Sequence, residues 1–180
     1  MRTAGVVPVC NRIQLALKGG TAINLFERDM PRLSVDLDLV LIDGTLDRPS
    51  ALDSIDRGLA IAQGKLEALG YRATAGSRID GRLVTIRVQR DDISVKVEVN
   101  HVLRGTVRSV RRAELVPAAK AMLRAEAALP VLAADELYGG KLVAAMDRQH
   151  PRDLFDVRGL FERGGLTAEV VECFVCYLAG

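Results

Sequence analysis

The sequence has no tryptophan, only 4% aromatic residues and three cysteines, and each scarcity excludes a class of protein. An odd and small number of cysteines argues against the disulfide framework of a secreted domain and favours a reducing, cytoplasmic location. Cys173 and Cys176 share one face of the apolar stretch VVECFVCYL, which favours structural thiols over metal ligands. No apolar run approaches the ~20 residues of a membrane span, and the N-terminal apolar run is too short for a signal peptide. We therefore expect neither export nor a membrane partner.

The residues that are present indicate an ordinary globular protein. The chain has 180 residues, of which 49% are hydrophobic and 27% charged, with a formal net charge of +2. This length fits one compact unit, and the composition fits an α+β or α/β domain rather than a disordered chain. A charge of +2 does not by itself indicate a nucleic-acid-binding protein.

The first part of the chain alternates predicted strands and helices. A helix is predicted from Thr21, as N-cap, to about Arg28, followed by a strand from Leu33 to Ile42. A capping box at Ser50 and Asp53 and a glycine at position 70 bound an amphipathic helix. Two strands of alternating apolar residues, joined by a tight turn at Asp91-Asp92, predict an antiparallel hairpin.

The second part of the chain is predicted to be helical. Helices are expected at 118–128, 134–146, 153–163 and 167–178. The prediction is an α+β fold: a mixed sheet with covering helices over residues 1–116, and a C-terminal helical portion, residues 117–180, that completes an active site. Gly139 and Gly140 inside a helix cost about 2 kcal/mol relative to alanine, which indicates close approach of another backbone or a ligand.

Two aspartates lie in the very apolar strand LSVDLDLVLI. In a strand, residues two apart share a face, so Ser34, Asp36 and Asp38 are predicted to point away from the core. Two carboxylates ~6 Å apart repel by about 3 kcal/mol, which a divalent cation relieves. Glu98 lies on the polar face of a second strand and is predicted to meet both aspartates across the sheet. Three such acids suit two Mg²⁺ ions, with Mn²⁺ as the alternative, although solvated surface charge explains each acid alone.

The turn Gly19-Gly20-Thr21 lies about 16 residues before these acids. Glycines let the backbone approach a ligand closely, and a helix that begins here directs free N–H groups outward. The turn is therefore a candidate site for a triphosphate, although a lone Gly-Gly turn is more often a plain loop.

Three stretches together resemble one family. LKGGTAINLFERDMPRLSVDLDLVLI (17–42), KVEVN (96–100) and DELYGGKLVAAMDRQHPRDLFDV (135–157) resemble the AbiEii/AbiGii nucleotidyltransferase toxins, part of the DNA polymerase β-like nucleotidyltransferase superfamily. The resemblance implies a set of site residues. The metal ligands would be Asp36, Asp38 and Glu98; the nucleotide-binding residues would be Gly19, Gly20, Thr21, Ser34, Lys141 and Arg152; further catalytic residues would be Lys141, Asp153 and Asp156.

The helical residues of this set also have simpler explanations. Lys141 lies among apolar neighbours, where it either meets phosphate or extends its ammonium from a helix edge. Asp153 and Asp156 share a helix face and are predicted to hold Lys141 or Arg152 in position. An acid in the first turn of a helix is also explained by the helix dipole.

The resemblance implies a function in translation arrest. Such a protein is expected to act as the toxin of a toxin-antitoxin (abortive infection) system, neutralised by a cognate antitoxin protein. It would transfer a nucleoside monophosphate from a nucleoside triphosphate (NTP) to an RNA acceptor, with the 3′ end of tRNA expected. Two alternatives stay open: transfer to a hydroxyl of a small molecule or a protein, and an inert module that only binds a partner.

Overall fold

The computed structural model describes residues 14–180, and within them the secondary structure is mixed. The strands are β1 Leu15–Lys18, β2 Leu37–Leu41, β3 Arg72–Ala75, β4 Arg78–Ile79, β5 Arg82–Leu83, β6 Thr85–Arg90, β7 Ile93–Asn100, β8 Arg111–Glu114 and β9 Ala128–Val131. The helices are α1 Gly19–Ala22, which continues as a π-helical turn Ile23–Glu27, α2 Arg48–Ala68, α3 Pro117–Leu123, α4 Ala134–Arg148, α5 Pro151–Phe161 and α6 Ala168–Ala179.

Among the described residues, seven strands form one mixed sheet in the order β3-β6-β7-β2-β1-β9-β8, and β4 pairs with β5 separately. Strand β2 pairs parallel with β7 and antiparallel with β1, which in turn pairs parallel with β9. Leu15, Ala16 and Leu17 of the central strand β1 are fully buried because other elements cover both faces. The predicted α+β class with a mixed sheet is confirmed.

Helix α2 and the hairpin follow the sequence closely. The buried positions Leu52, Ile55, Leu59 and Leu66 lie at helical spacing, and Gly70 with φ of +81° follows the helix end. The N-cap, however, is Asp47, whose carboxylate accepts the N–H of Ser50, so the predicted start at Ser50 and Asp53 is wrong by one turn.

Two predictions near the acids are corrected. The strand predicted from Leu33 begins only at Leu37. The neighbouring strand β1 ends at Lys18, which pairs with Asp38, because Gly19 with a φ of +71° turns the chain into α1. Thr21 is not an N-cap: Lys18 holds that position, and Thr21 is buried inside the helix.

The helix predicted at 118–128 is also wrong in its second half. It ends at Leu123, where Arg124 takes a left-handed φ of +47°, and the chain then forms β9. The sheet therefore continues beyond the predicted boundary at residue 116. The remaining helices, α4 to α6, agree with the predicted ones within two residues at each end. None of the helices in residues 14–180 has the length and apolar character needed to cross a membrane.

Candidate active site

A row of polar side chains crosses four neighbouring strands at one level. Lys18 of β1 pairs with Asp38 of β2, Asp38 pairs with Glu98 of β7, and Glu98 pairs with Thr85 of β6. Residues directly opposite each other across a ladder project from the same face, with Cβ atoms about 5 Å apart. Glu98 was predicted to meet both aspartates across the sheet; the register places it opposite Asp38, whereas Asp36 precedes the paired residues of β2.

This row opens into a cavity of about 530 Å³. The sheet forms one wall, and helices α4 and α6 form the other. Its polar lining includes Lys18, Asp38, Lys96, Glu98, Asn100, His101, Glu136, Lys141, Asp147, Arg148 and Tyr177. Acids and cations thus face the same space from different elements of the fold.

The surroundings of Asp38 oppose its ionisation more than nearby cations favour it. Burial raises the pKa of Asp38, and the nearby Glu98 carboxylate raises it further, whereas Lys96 and Lys18 lower it and Asp36 adds a smaller rise. Asp36 itself is exposed and does not line the cavity; its Oδ1 accepts the backbone N–H of Lys96 at 3.2 Å. The raised pKa indicates negative charge that a cation would stabilise.

Lys96 supplies part of that compensation. Its ammonium donates to the Glu98 carboxylate, and this hydrogen bond raises the pKa of Lys96, helped by the charges of Asp38 and Asp36. In this arrangement no three His, Cys, Asp or Glu side chains of residues 14–180 are grouped so that they could hold an ion. The donor set still fits Mg²⁺ or Mn²⁺, because it consists of carboxylate oxygens around an under-compensated Asp38.

Gly19 and Gly20 are explained by close packing at the end of β1. A Cβ on Gly19 would lie 2.6 Å from Asp38 Oδ2, and one on Gly20 would lie 2.7 Å from Arg32 Nη2. Gly19 also lines the cavity. The glycines therefore let the backbone pass directly beside the acid, and their role as a phosphate cradle stays a prediction.

Thr21 and Ser34 lie beside the cavity rather than in its lining. The Thr21 hydroxyl donates to the Asp36 carbonyl and is 3.0 Å from Ser34 Oγ. Both residues line a separate, mainly apolar groove with a volume of about 180 Å³. Thr21 thus fixes the segment that carries Asp36, and nucleotide contacts for Thr21 and Ser34 stay predictions.

Lys141, Asp153 and Asp156 form a buried ionic network. Lys141 Nζ lies 2.8 Å from Asp153 Oδ1 and 3.3 Å from Asp156 Oδ2, and the side chain of Asp156 is 0% exposed. The Arg32 guanidinium donates to Asp156 through Nε at 2.9 Å, and Arg148 lies 3.0 Å from Asp153. Burial opposes ionisation of Asp153, but Lys141 and Arg148 outweigh it and lower its pKa. The two acids hold Lys141 in place, as the sequence predicts.

Arg152 does not share this position. It is exposed, and its backbone N–H donates to His150 Nδ1, which caps helix α5. Arg148, four residues earlier, lines the cavity instead. The predicted nucleotide contact of Arg152 is therefore not part of the cavity, because the first turn of α5 directs that side chain to solvent.

Three residues at the cavity were not predicted. The ammonium of Lys18 lies 5.2 Å from the centre of the Tyr177 ring, and no ion pair within residues 14–180 includes it. Burial lowers the pKa of Lys18, partly offset by Asp38 and Glu136. The buried Glu136 accepts the Tyr177 hydroxyl and the N–H groups of Val107 and Arg108, each at 3.0 Å. The position of Lys18 before the Gly-Gly turn was the available signal; Glu136 and Tyr177 had none.

The chain is similar to a known protein family and to solved structures. The model of the family described as "Nucleotidyl transferase AbiEii toxin, Type IV TA system" matches residues 10–180. Among solved structures, MenT4, a nucleotidyltransferase toxin from Mycobacterium tuberculosis H37Rv, is similar with a TM-score of 0.65 and 24% identity. The match covers 89% of this chain and 55% of the MenT4 chain, so this chain spans about half the length of that relative. Such a likeness shows a shared fold. No curated protein matches.

Proposed function

The chain belongs to the AbiEii nucleotidyltransferase toxin family, and on that premise we propose that it is a Mg²⁺-dependent transferase that moves a nucleoside monophosphate from an NTP to an RNA hydroxyl. The proposed acceptor is the 3′ end of tRNA, and the proposed partner is a cognate antitoxin protein. The acceptor oxygen bonds to the α-phosphorus, the bond to the bridging oxygen breaks, pyrophosphate leaves, and the hydroxyl proton is released to water.

The observation that carries this proposal is the register of Asp38 with Glu98 at the wall of a cavity that cations face from the other side. Asp36, Asp38 and Glu98 would hold the metal. A divalent ion held by these residues would supply charge stabilisation for the transferred phosphoryl group and a site to orient the attacking hydroxyl. The raised pKa of Asp38 supports this role, because a carboxylate that is costly to ionise alone gains most from a bound cation.

Lys141 and Lys18, which both line the cavity, have different proposed roles. Lys141 is ion-paired to Asp153 and Asp156, so it adds positive potential from a fixed position. Lys18 has no carboxylate bound to its ammonium among the described residues, and its ammonium lies over the ring of Tyr177. Lys18 is therefore the cation that can donate directly to the triphosphate, and charge-assisted hydrogen bonds to phosphate are among the strong ones.

The test is transfer of label from α-³²P nucleotides to purified tRNA, with each of the four NTPs and Mg²⁺. Wild-type protein is expected to label tRNA, and Asp38→Asn is expected to abolish labelling. Asp92→Asn, which removes an exposed acid from the hairpin turn, is the matched control and should label normally. Labelled protein or metabolite beside unlabelled RNA would favour the alternative acceptors, and absence of any labelled product would count against a transferase.

A further inference from the structure

Lys96 contacts the acids proposed to bind metal through both its side chain and its backbone. It lies two residues before Glu98 in β7, so both side chains project from the same face. Its ammonium is paired with the Glu98 carboxylate, and its backbone N–H donates to Asp36 Oδ1 at 3.2 Å. Glu98 in turn is paired in register with Asp38. One residue therefore contacts two of the three acids and lies beside the third.

The Glu98 and Asp36 oxygens that contact Lys96 are the same oxygens that would bind a metal ion, so they need a different arrangement to hold the metal. A Glu98 oxygen bound to the ammonium and an Asp36 oxygen bound to a backbone N–H are both turned toward Lys96. In this arrangement no group of three metal-ligating side chains is assembled within residues 14–180. A monovalent cation bonded to a ligand oxygen also repels a divalent ion at the same oxygen.

We propose that Lys96 is an internal counter-ion that a divalent cation must displace, and that it thereby lowers the metal affinity of the protein without nucleotide. This inference rests on the proposed function, because it assumes that Asp36, Asp38 and Glu98 receive the metal. An incoming metal-triphosphate brings phosphate oxygens to the same cavity, which give the displaced ammonium a new partner. Metal and nucleotide are thus expected to bind together more favourably than metal alone, and the coupling is reciprocal.

The test is calorimetric titration of Mn²⁺ into nucleotide-free wild type, Lys96→Met and Lys120→Met. Methionine keeps the length of the side chain and removes the charge. Lys120 is the matched control, because it forms a comparable exposed pair with Glu114 at 2.7 Å and is not part of the cavity lining. We expect the Kd for Mn²⁺ to fall about tenfold in Lys96→Met, from removal of one nearby positive charge, and to stay unchanged in Lys120→Met.

Thermal melting supplies a readout that does not depend on catalysis. Removal of Lys96 leaves the acids to repel one another, so Lys96→Met should melt lower than wild type without metal. Saturating Mn²⁺ should raise its melting temperature by more than it raises that of wild type, because tighter binding stabilises the folded state more. Equal gains in the two proteins would contradict displacement.

The outcomes separate the two proposals. Wild-type Mn²⁺ binding that Asp38→Asn abolishes, with no tightening in Lys96→Met, would overturn the role of Lys96 and leave the proposed function standing. Mn²⁺ binding that Asp38→Asn does not affect, or no binding in any of the proteins, would overturn the metal site and the role of Lys96 together. Tightening confined to Lys96→Met supports displacement.

Discussion

Alanine substitution of the adjacent glycines Gly139 and Gly140 in helix α4 should change the free energy of unfolding in opposite directions. A Cβ on Gly139 would lie 2.7 Å from Cys173 Cβ and 2.8 Å from the backbone nitrogen of Phe174, both in α6. A Cβ on Gly140 would meet only the ring of Tyr177, at 3.7 Å or more, which is ordinary van der Waals contact. Both glycines are helical, so neither substitution strains the backbone itself.

The magnitudes follow from two competing effects. Alanine in place of glycine stabilises a helix by about 1 kcal/mol at either position. At Gly139 the new methyl group collides with a backbone atom that cannot rotate away, and such overpacking costs about 3 kcal/mol, at the upper end of the usual range. Gly139→Ala should therefore lower the free energy of unfolding by about 2 kcal/mol, whereas Gly140→Ala should raise it by about 1 kcal/mol.

Urea unfolding followed by circular dichroism measures both changes in the free energy of unfolding, and thermal unfolding gives the melting temperatures. For a chain of this size the two variants should differ in melting temperature by roughly 6–12 °C, at 2–4 °C for each kcal/mol. Because α6 carries Tyr177, Gly139→Ala should also weaken nucleotide binding. If both variants were equally stable, or Gly139→Ala were the more stable, the close packing of α4 on α6 would be refuted.

Substitutions at three further positions test the charges around the cavity. The raised pKa of Asp38 means that its contribution to stability is present below its unfolded pKa and is lost as the pH rises through the higher folded pKa. Asp38→Asn should therefore melt higher than wild type at pH 7, while transfer activity falls at least about 100-fold; an unchanged or lower melting temperature would contradict this sign. Lys18→Met should raise the KM for NTP about tenfold with a smaller change in kcat, and Lys18→Arg should recover part of the loss; steady-state kinetics check both. Asp153 has a lowered pKa in the folded protein, so its ionised form stabilises the fold at pH values above its unfolded pKa. This stabilisation is lost as the pH falls through the folded pKa, so the melting temperature of wild type should drop steeply below about pH 4. Asp153→Asn should be about 3 kcal/mol less stable at pH 7 and should lack that steep loss, because the Lys141–Asp153 pair is already broken and Asp156 alone remains beside Lys141. A parallel pH dependence of the two proteins would argue against the buried pair.

Local patterns predicted the part of the site that lies on the hairpin and on β2. Alternation of apolar and polar residues fixes which face each side chain takes, and this was enough to bring Glu98 to Asp38. The same alternation places Lys96 beside Glu98, although its pairing with the acid depends on side-chain contacts that the pattern does not specify. Likewise, the helical spacing of Asp153 and Asp156 placed both on one face of α5, and of the two partners predicted for them, Lys141 and Arg152, the structure pairs them with Lys141 of α4.

Elements held mainly by distant contacts were not predictable in this way. Strand β9 has four residues and contains Pro130, which argues against a strand, yet it is kept by pairing with β1 and β8. Lys18 and Tyr177 meet although 159 positions separate them, since α6 packs on α4 and Glu136 binds the Tyr177 hydroxyl. Periodicity assigns a face to each residue, but it does not identify the partner of that face.

The contribution of Tyr177 from helix α6 also orders events during biosynthesis. A ribosome makes the carboxylates and Lys141 before it makes Tyr177, and the wall of the cavity over Lys18 is incomplete until α6 has docked. Chains generally begin to fold from the N-terminus while they are being translated. The wall that Tyr177 contributes is therefore absent from the cavity while the chain is only partly synthesised.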